Sequence, residues 1–145
     1  MNQLNFDIDE AVNEPIKGYE PGSQEKASLK AKINELKSHT YDIPIIINGK
    51  EIRTGNTGNC VMPHNHQHIL ATYHKAGEEE IKMAIDGLLE AWKQWSYTPL
   101  QERISIFKKM AELLQGPYRD LINASTMLGQ SKNAFQAEID SACEL

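Results

Sequence analysis

Three observations predict a mixed α+β fold for this chain. The run IPIIINGKEIRT (Ile43–Thr54) is β-branched and apolar, and at Asn48-Gly49 it carries the dipeptide that suits a two-residue type I′ turn. Two shorter extended runs follow, CVMPHN from Cys60 and HILATYH from His68. Beyond Gly77 the apolar residues recur every three or four positions, which is the period of a helix face.

Along the chain, residues 1 to about 22 mix Asn, Asp, Glu, Pro15, Gly18, Pro21 and Gly22 with few periodic apolar positions and read as an extended arm. Ser23 then serves as N-cap for SQEKASLKAKINELK, whose Ala27, Leu29, Ile33 and Leu36 form a narrow stripe on a surface helix. After the hairpin, GNTGN (Gly55–Asn59) is expected to turn the chain before the two short strands. EEEIKMAIDGLLEAWKQW sets Ile81, Ile85, Leu88, Trp92 and Trp95 on one face, predicting a helix that packs hard, with three acids in the first turn where they favour the dipole. Thr98 and Gln101 suggest a capping box around Pro99 for a helix that turns Ile104, Phe107, Ala111 and Leu114 inward. A further helix is expected from about Pro117 to Leu128 with Gly129 at C′, and a last one from near Ser131, its apolar row running Phe135, Ile139, Ala142/Cys143.

Composition narrows the function classes. The chain has 145 residues, 40% of them hydrophobic, enough for a core, and a net charge of −5 with scattered lysines. No basic footprint for nucleic acid or an acidic membrane is present. The opening residues are acidic, without an apolar signal core or an Arg-rich transit pattern, so a cytoplasmic location is expected. Cys60 and Cys143 are then read as free thiols.

Each candidate site has a plainer explanation. Cys60, His64, His66, His68 and His74 offer zinc-ligand chemistry, but their spacing matches no zinc site and straddles Pro63. Solvated turn histidines fit better. Cys143 lies beside Asp140 and Glu144 at a helix C-terminus, and all three raise a thiol pKa rather than lower it. Gly55-x-x-Gly58 lacks the lysine and third glycine of a phosphate loop. The sequon at Asn123 falls inside a helix. Trp92 and Trp95 at helical spacing read as core. Gln136, Asp140 and Glu144 are four apart, so two carboxylates stack with no Lys or Arg four residues away to balance them. By residues alone, a self-contained helical interaction module remains an open reading.

A resemblance adds what spacing cannot. PIIINGKEIRTG, then V-x-P-H-N at Val61–Asn65, then AIDGLLEAWKQWSYTPLQERISIFKKMAELLQ with its W-x-x-x-P-x-x-x-R helix pair, resemble the N-terminal part of the aldehyde dehydrogenase superfamily over roughly residues 40 to 145. YEPGSQEKASLKAKINEL, P-H-N-H-Q-H and the stretch from LLQGPYRD to the end are similar to its 1-pyrroline-5-carboxylate dehydrogenase branch. The resemblance implies an α/β fold with a doubly wound cofactor domain, of which residues 23–145 form an incomplete first part behind the arm of residues 1–22. It implies NAD as cofactor and L-glutamate γ-semialdehyde as the small-molecule substrate, oxidised to glutamate in proline breakdown by a homo-oligomer. It also implies a chain that is an N-terminal fragment, with the Cys nucleophile, the Glu base and the NAD site outside it. One family role falls inside, that of the Glu beside the substrate pocket, which matches Glu144.

Overall fold

The computed structural model describes Val12 and residues 14–143, with side chains through Ser141. The first helix, α1 (Gln24–Lys37), is capped as expected, the Ser23 Oγ accepting from the Lys26 N–H at 3.3 Å. Leu29 is buried, Ile33 and Leu36 are half-buried, and Ala27 lies outside the packed stripe.

Pro44 decides the next step. The extended run splits there into β1 (Tyr41–Ile43) and β2 (Ile45–Ile47), because proline has no N–H to continue a ladder. β1 pairs in parallel with β5 (Asn65–His74), whereas β2 pairs antiparallel with β3 (Lys50–Ile52). Asn48 and Gly49 both have positive φ, 52° and 72°, as the type I′ turn requires. β4 (Thr57–Met62) completes a three-stranded sheet of order β1-β5-β4, closing on β5 through Pro63-His64 with register shifts around Val61. The GNTGN turn is therefore shorter than expected. Thr57 already lies in β4, since the strand gains partners in β5 as far as His74.

Four helical pieces follow, α2 (Glu78–Trp95), α3 (Leu100–Gln115), α4 (Arg119–Gln130) and α5 (Ala134–Glu138), the last running into a π-helical turn, Ile139–Cys143. Several expectations fail here for physical reasons. The α2 helix does not pack hard: no residue of it is buried, with Leu88 70% and Trp92 64% exposed. The 3.6-residue period marks a face that suits a cover, not the presence of one. Phe107 of α3 is likewise 66% exposed. The Thr98 capping box is absent, because the Thr98 hydroxyl donates back to the Gln94 carbonyl and Pro99 takes the N-cap place without a side-chain bond. Gly129 lies inside α4, and the left-handed C-cap is Ser131, φ 56°. The last helix starts at Ala134, where Asn133 and Gln136 form a reciprocal capping box.

The core lies where α1 meets α4. Tyr19, Leu29 and Ala124 are buried together, with Ile33, Leu36, Met127 and Ala134 packed against them. The segment before α1 thus enters the core through Tyr19.

Candidate functional site

The densest chemistry is a buried polar cluster centred on Glu138. The capping box fixes the start of α5, which brings Glu138, its last residue, against α4. Arg119 and Asn123 stand one turn apart at the start of α4, so both face the same side. Tyr19, in a left-handed conformation at φ 52°, closes the cluster from the arm.

Both carboxylate oxygens of Glu138 are saturated. Oε1 accepts from the Arg119 guanidinium and from the Lys17 backbone N–H at 2.9 Å. Oε2 accepts from the Tyr19 hydroxyl at 2.6 Å, the Asn123 amide at 2.7 Å and Arg119 Nε at 3.3 Å. Arg119 also donates to the Pro15 carbonyl at 2.7 Å. Glu138 is 0% and Arg119 5% exposed. Burial by itself pushes the Glu138 carboxyl up, but the bonds from Arg119, Tyr19, Lys17 and Asn123 together hold it below the ordinary value. Burial, and next the hydrogen bond to Glu138, push the Tyr19 phenol up. A general base needs an open lone pair within reach of substrate. Glu138 has none, so the cluster is an anchor that joins the arm, α4 and α5.

Past that anchor the chain turns through Ile139–Cys143. Thr126 and Ser141 hydroxyls meet at 2.9 Å, and Lys132 pairs with Asp140. Asp140, which has no Lys or Arg four residues away, is balanced by Lys132, eight before it, brought round by the break between α4 and α5. Glu144 and the Cys143 side chain lie outside the described residues.

The other candidates are separated. His64 sits in the β4–β5 turn with Nδ1 2.9 Å from the Ser131 hydroxyl. His66 and His68 stand on β5, and His74 pairs with Asp42, 3.2 Å from Nε2, while its Nδ1 accepts from the Gly55 N–H. The Arg53 bond to Asp42 holds that carboxyl below its usual range. Cys60 is exposed. Among the described residues no three His, Cys, Asp or Glu side chains come close enough to hold a metal ion. Asn123, the sequon residue, is 0% exposed and belongs to the anchor. Of the anchor residues the sequence marks Asn123 alone, and only as a sequon, although one signal of the cluster exists: Arg119 and Asn123 are polar residues four apart on the buried face of α4.

The described residues do not fit a dinucleotide. Such a site needs a glycine-rich turn from a parallel strand into a helix N-terminus, and the one parallel pair here, β1 with β5, has no such crossover between its strands. Among the described residues, no helix is long and apolar enough to cross a membrane.

Comparison with known proteins agrees with this architecture. The profile of the aldehyde dehydrogenase family matches residues 52–145. A delta-1-pyrroline-5-carboxylate dehydrogenase of Agaricus bisporus is 45% identical over 141 residues, 97% of this chain and 26% of the relative. The mitochondrial enzyme of that name from Dictyostelium discoideum is 42% identical over 133 residues, 92% of this chain and 24% of its own length. The crystal structure of the Delta-pyrroline-5-carboxylate dehydrogenase from Mycobacterium tuberculosis bound with NAD superposes with a TM-score of 0.93 at 36% identity, over 99% of this chain and 27% of that one. The chain thus spans about a quarter of the length of the curated relatives it matches. With mixed α+β elements in the order those relatives share and a family match over most of its length, the chain belongs to the aldehyde dehydrogenase family.

Proposed function

We propose that this chain serves as the N-terminal part of an NAD-dependent enzyme that oxidises L-glutamate γ-semialdehyde to L-glutamate in proline catabolism. The identity of 45% to the Agaricus bisporus protein carries the reading. In it, residues 1–22 are an arm and residues 23–145 the first part of the cofactor-binding domain, the complete enzyme being a homo-oligomer. NAD supplies the hydride acceptor, held by parts of the fold other than the described residues. Alone, the chain oxidises no aldehyde, since the nucleophile and base lie in the longer relatives' remaining length. Cytoplasmic residence belongs to the reading; imaging of a fluorescent fusion separates it from the mitochondrial location named for the Dictyostelium discoideum relative.

Glu144 is the substrate-binding residue of this proposal, its carboxylate meeting the ammonium group of the semialdehyde. The test is a single polypeptide joining residues 1–145 to the remaining length of the Agaricus bisporus relative, assayed by NAD reduction. Glu144→Ala removes a charge-assisted bond worth about 1.5–3 kcal/mol, or roughly ten- to hundredfold in kcat/KM. A simple aliphatic aldehyde, which lacks the ammonium group, is affected far less. Equal losses on both aldehydes would refute the role of Glu144, and no turnover of the semialdehyde by the wild-type fusion would refute the substrate. A second reading, a helical interaction module, draws on the exposed apolar face of α2.

A further inference from the structure

The tip of the β2–β3 hairpin holds two groups that can react with each other. Asn48 is the one asparagine of the sequence followed by glycine. A glycine nitrogen has no Cβ beside it, so nothing hinders its approach to the carboxamide of the residue before it. Both residues are exposed, and a Cβ on Gly49 would meet nothing within 4 Å. Among the described residues, neither the Asn48 amide nor the Gly49 N–H has a hydrogen-bond partner. Other asparagines are placed differently. Asn123 and Asn133 commit their side chains to the anchor and to the α5 capping box, and Asn59 accepts from the Thr72 hydroxyl. Asn56 and Asn65 precede the bulkier Thr57 and His66.

Two restraints hold the pair apart. With φ of 52° at Asn48 and 72° at Gly49, the type I′ turn fixes the Gly49 nitrogen on the far side of Cα from the Asn48 side chain. Closing a five-membered ring needs that nitrogen swung round to eclipse Cβ, which the two-residue turn does not permit. The second restraint is α2. A Cβ at Gly87 would lie 2.6 Å from Asn48 Cγ, so the helix backbone covers one face of the carbon that would be attacked. Reaction therefore requires the tip to open and the amide to leave α2.

We propose that Asn48 is a self-modification site, deamidated through a cyclic imide with Gly49 whenever the hairpin tip opens from α2. Hydroxide removes the Gly49 amide proton, and the nitrogen bonds to Asn48 Cγ as the Cγ–Nδ2 bond breaks and ammonia leaves. Water then opens the ring at either carbonyl, giving aspartate or isoaspartate at position 48. One water is consumed and one ammonia released, with no change of oxidation state. The isoaspartyl form carries an extra backbone carbon that a two-residue turn cannot hold. Either form puts a carboxylate into the cavity that Asn48 shares with Gly87, Glu90 and Lys93. Lys93 is already paired with Glu90 at 2.5 Å, so the new charge meets no free cation there. The modified tip reseats poorly, which makes the change a one-way record of opening.

The test incubates the purified chain in heavy-oxygen water at mildly alkaline pH and follows the peptide around Asn48 by mass spectrometry. One heavy oxygen should enter at position 48, as aspartate and isoaspartate together, while the other asparagines stay intact. The rate, divided by that of the same chain unfolded in urea, should equal the open fraction reported by hydrogen exchange of the Lys50 amide, opposite Ile47 at the turn. Gly87→Ala, which displaces Asn48 from α2, should raise rate and open fraction in step, with circular dichroism confirming the fold. Should that variant fail to fold, the wild-type ratio decides by itself. An Asn48 that stays amide in the folded chain while the unfolded chain reacts overturns the proposal. So does aspartate without isoaspartate, which would mean direct hydrolysis and no ring, or a rate ratio well above the open fraction.

Discussion

Replacing Glu138 by alanine tests whether the buried anchor holds the arm, α4 and α5 together. Five donor contacts end on its two oxygens, from Lys17, Tyr19, Asn123 and twice from Arg119. Removing the carboxylate takes from the Arg119 guanidinium, 5% exposed, the group that accepts two of its hydrogen bonds. Breaking a buried pair from one side costs about 3–5 kcal/mol, a large share of the roughly 5–15 kcal/mol that stabilises a domain. With a urea slope of about 2 kcal/mol/M, the midpoint should fall by roughly 2 M, followed by far-ultraviolet circular dichroism of the chain. Glu138→Gln keeps the volume and one acceptor but turns an amide NH₂ toward donors, so it should lose nearly as much. The double change Arg119→Met with Glu138→Leu should recover most of the loss, because apolar residues of similar size replace buried ion pairs at little net cost. A single-substitution loss below about 1 kcal/mol, or a double variant whose loss equals the sum of the singles, would refute the anchor.

Other consequences are directly measurable. Because Glu138 is held below the usual carboxyl value of 4.5, its contribution is present above that pH and is lost as pH falls through its lower folded value; Glu138→Gln should flatten this acid limb of a midpoint-against-pH curve. Tyr19, shifted the other way by burial and Glu138, contributes below the ordinary phenol value of 10.0, and stability should fall as pH rises past it, a limb that Tyr19→Phe removes. In a His64→Ala background, where the Ser131 hydroxyl has already lost its imidazole partner, Ser131→Gly should raise stability by about 0.5–1 kcal/mol in urea titrations, since the left-handed C-cap disfavours a Cβ. A Cβ at Gly87 on α2 would collide with the Asn48 amide at the hairpin tip. Gly87→Ala should therefore withhold the roughly 1 kcal/mol that alanine adds to a helix, and Asn48→Gly in the same chain should restore it.

Local rules were legible, and tertiary ones were not. The Asn48-Gly49 turn and the Ser23 cap depend on residues within four positions of one another, and both form as read. The Glu138 cluster draws on Lys17, Tyr19, Arg119 and Asn123, up to 121 positions away, and no periodicity reaches that far. Glu138 lies in sequence between Phe135 and Ile139 and no local pattern marks an acid there as buried, while Phe135 itself is 60% exposed. The α2 face failed for the opposite reason, its period being that of a helix face while no element among the described residues lies over it. Family membership was legible from long stretches of shared sequence, whereas the role of Glu144 rests on that likeness and not on spacing.

Pro44 makes the two sheets mechanically dependent. No hydrogen bond in the ladders joins one sheet to the other, yet a single residue, Pro44, hands the chain from β1 to β2. If Tyr41–Ile43 peels from β5, the pull reaches Ile45 at once, for no slack loop lies between them to absorb it. Amide hydrogens of Ile47 and Thr72, although in separate sheets, should therefore exchange in one opening event with matching free energies. Two ladders that share no hydrogen bond should then open as one cooperative unit.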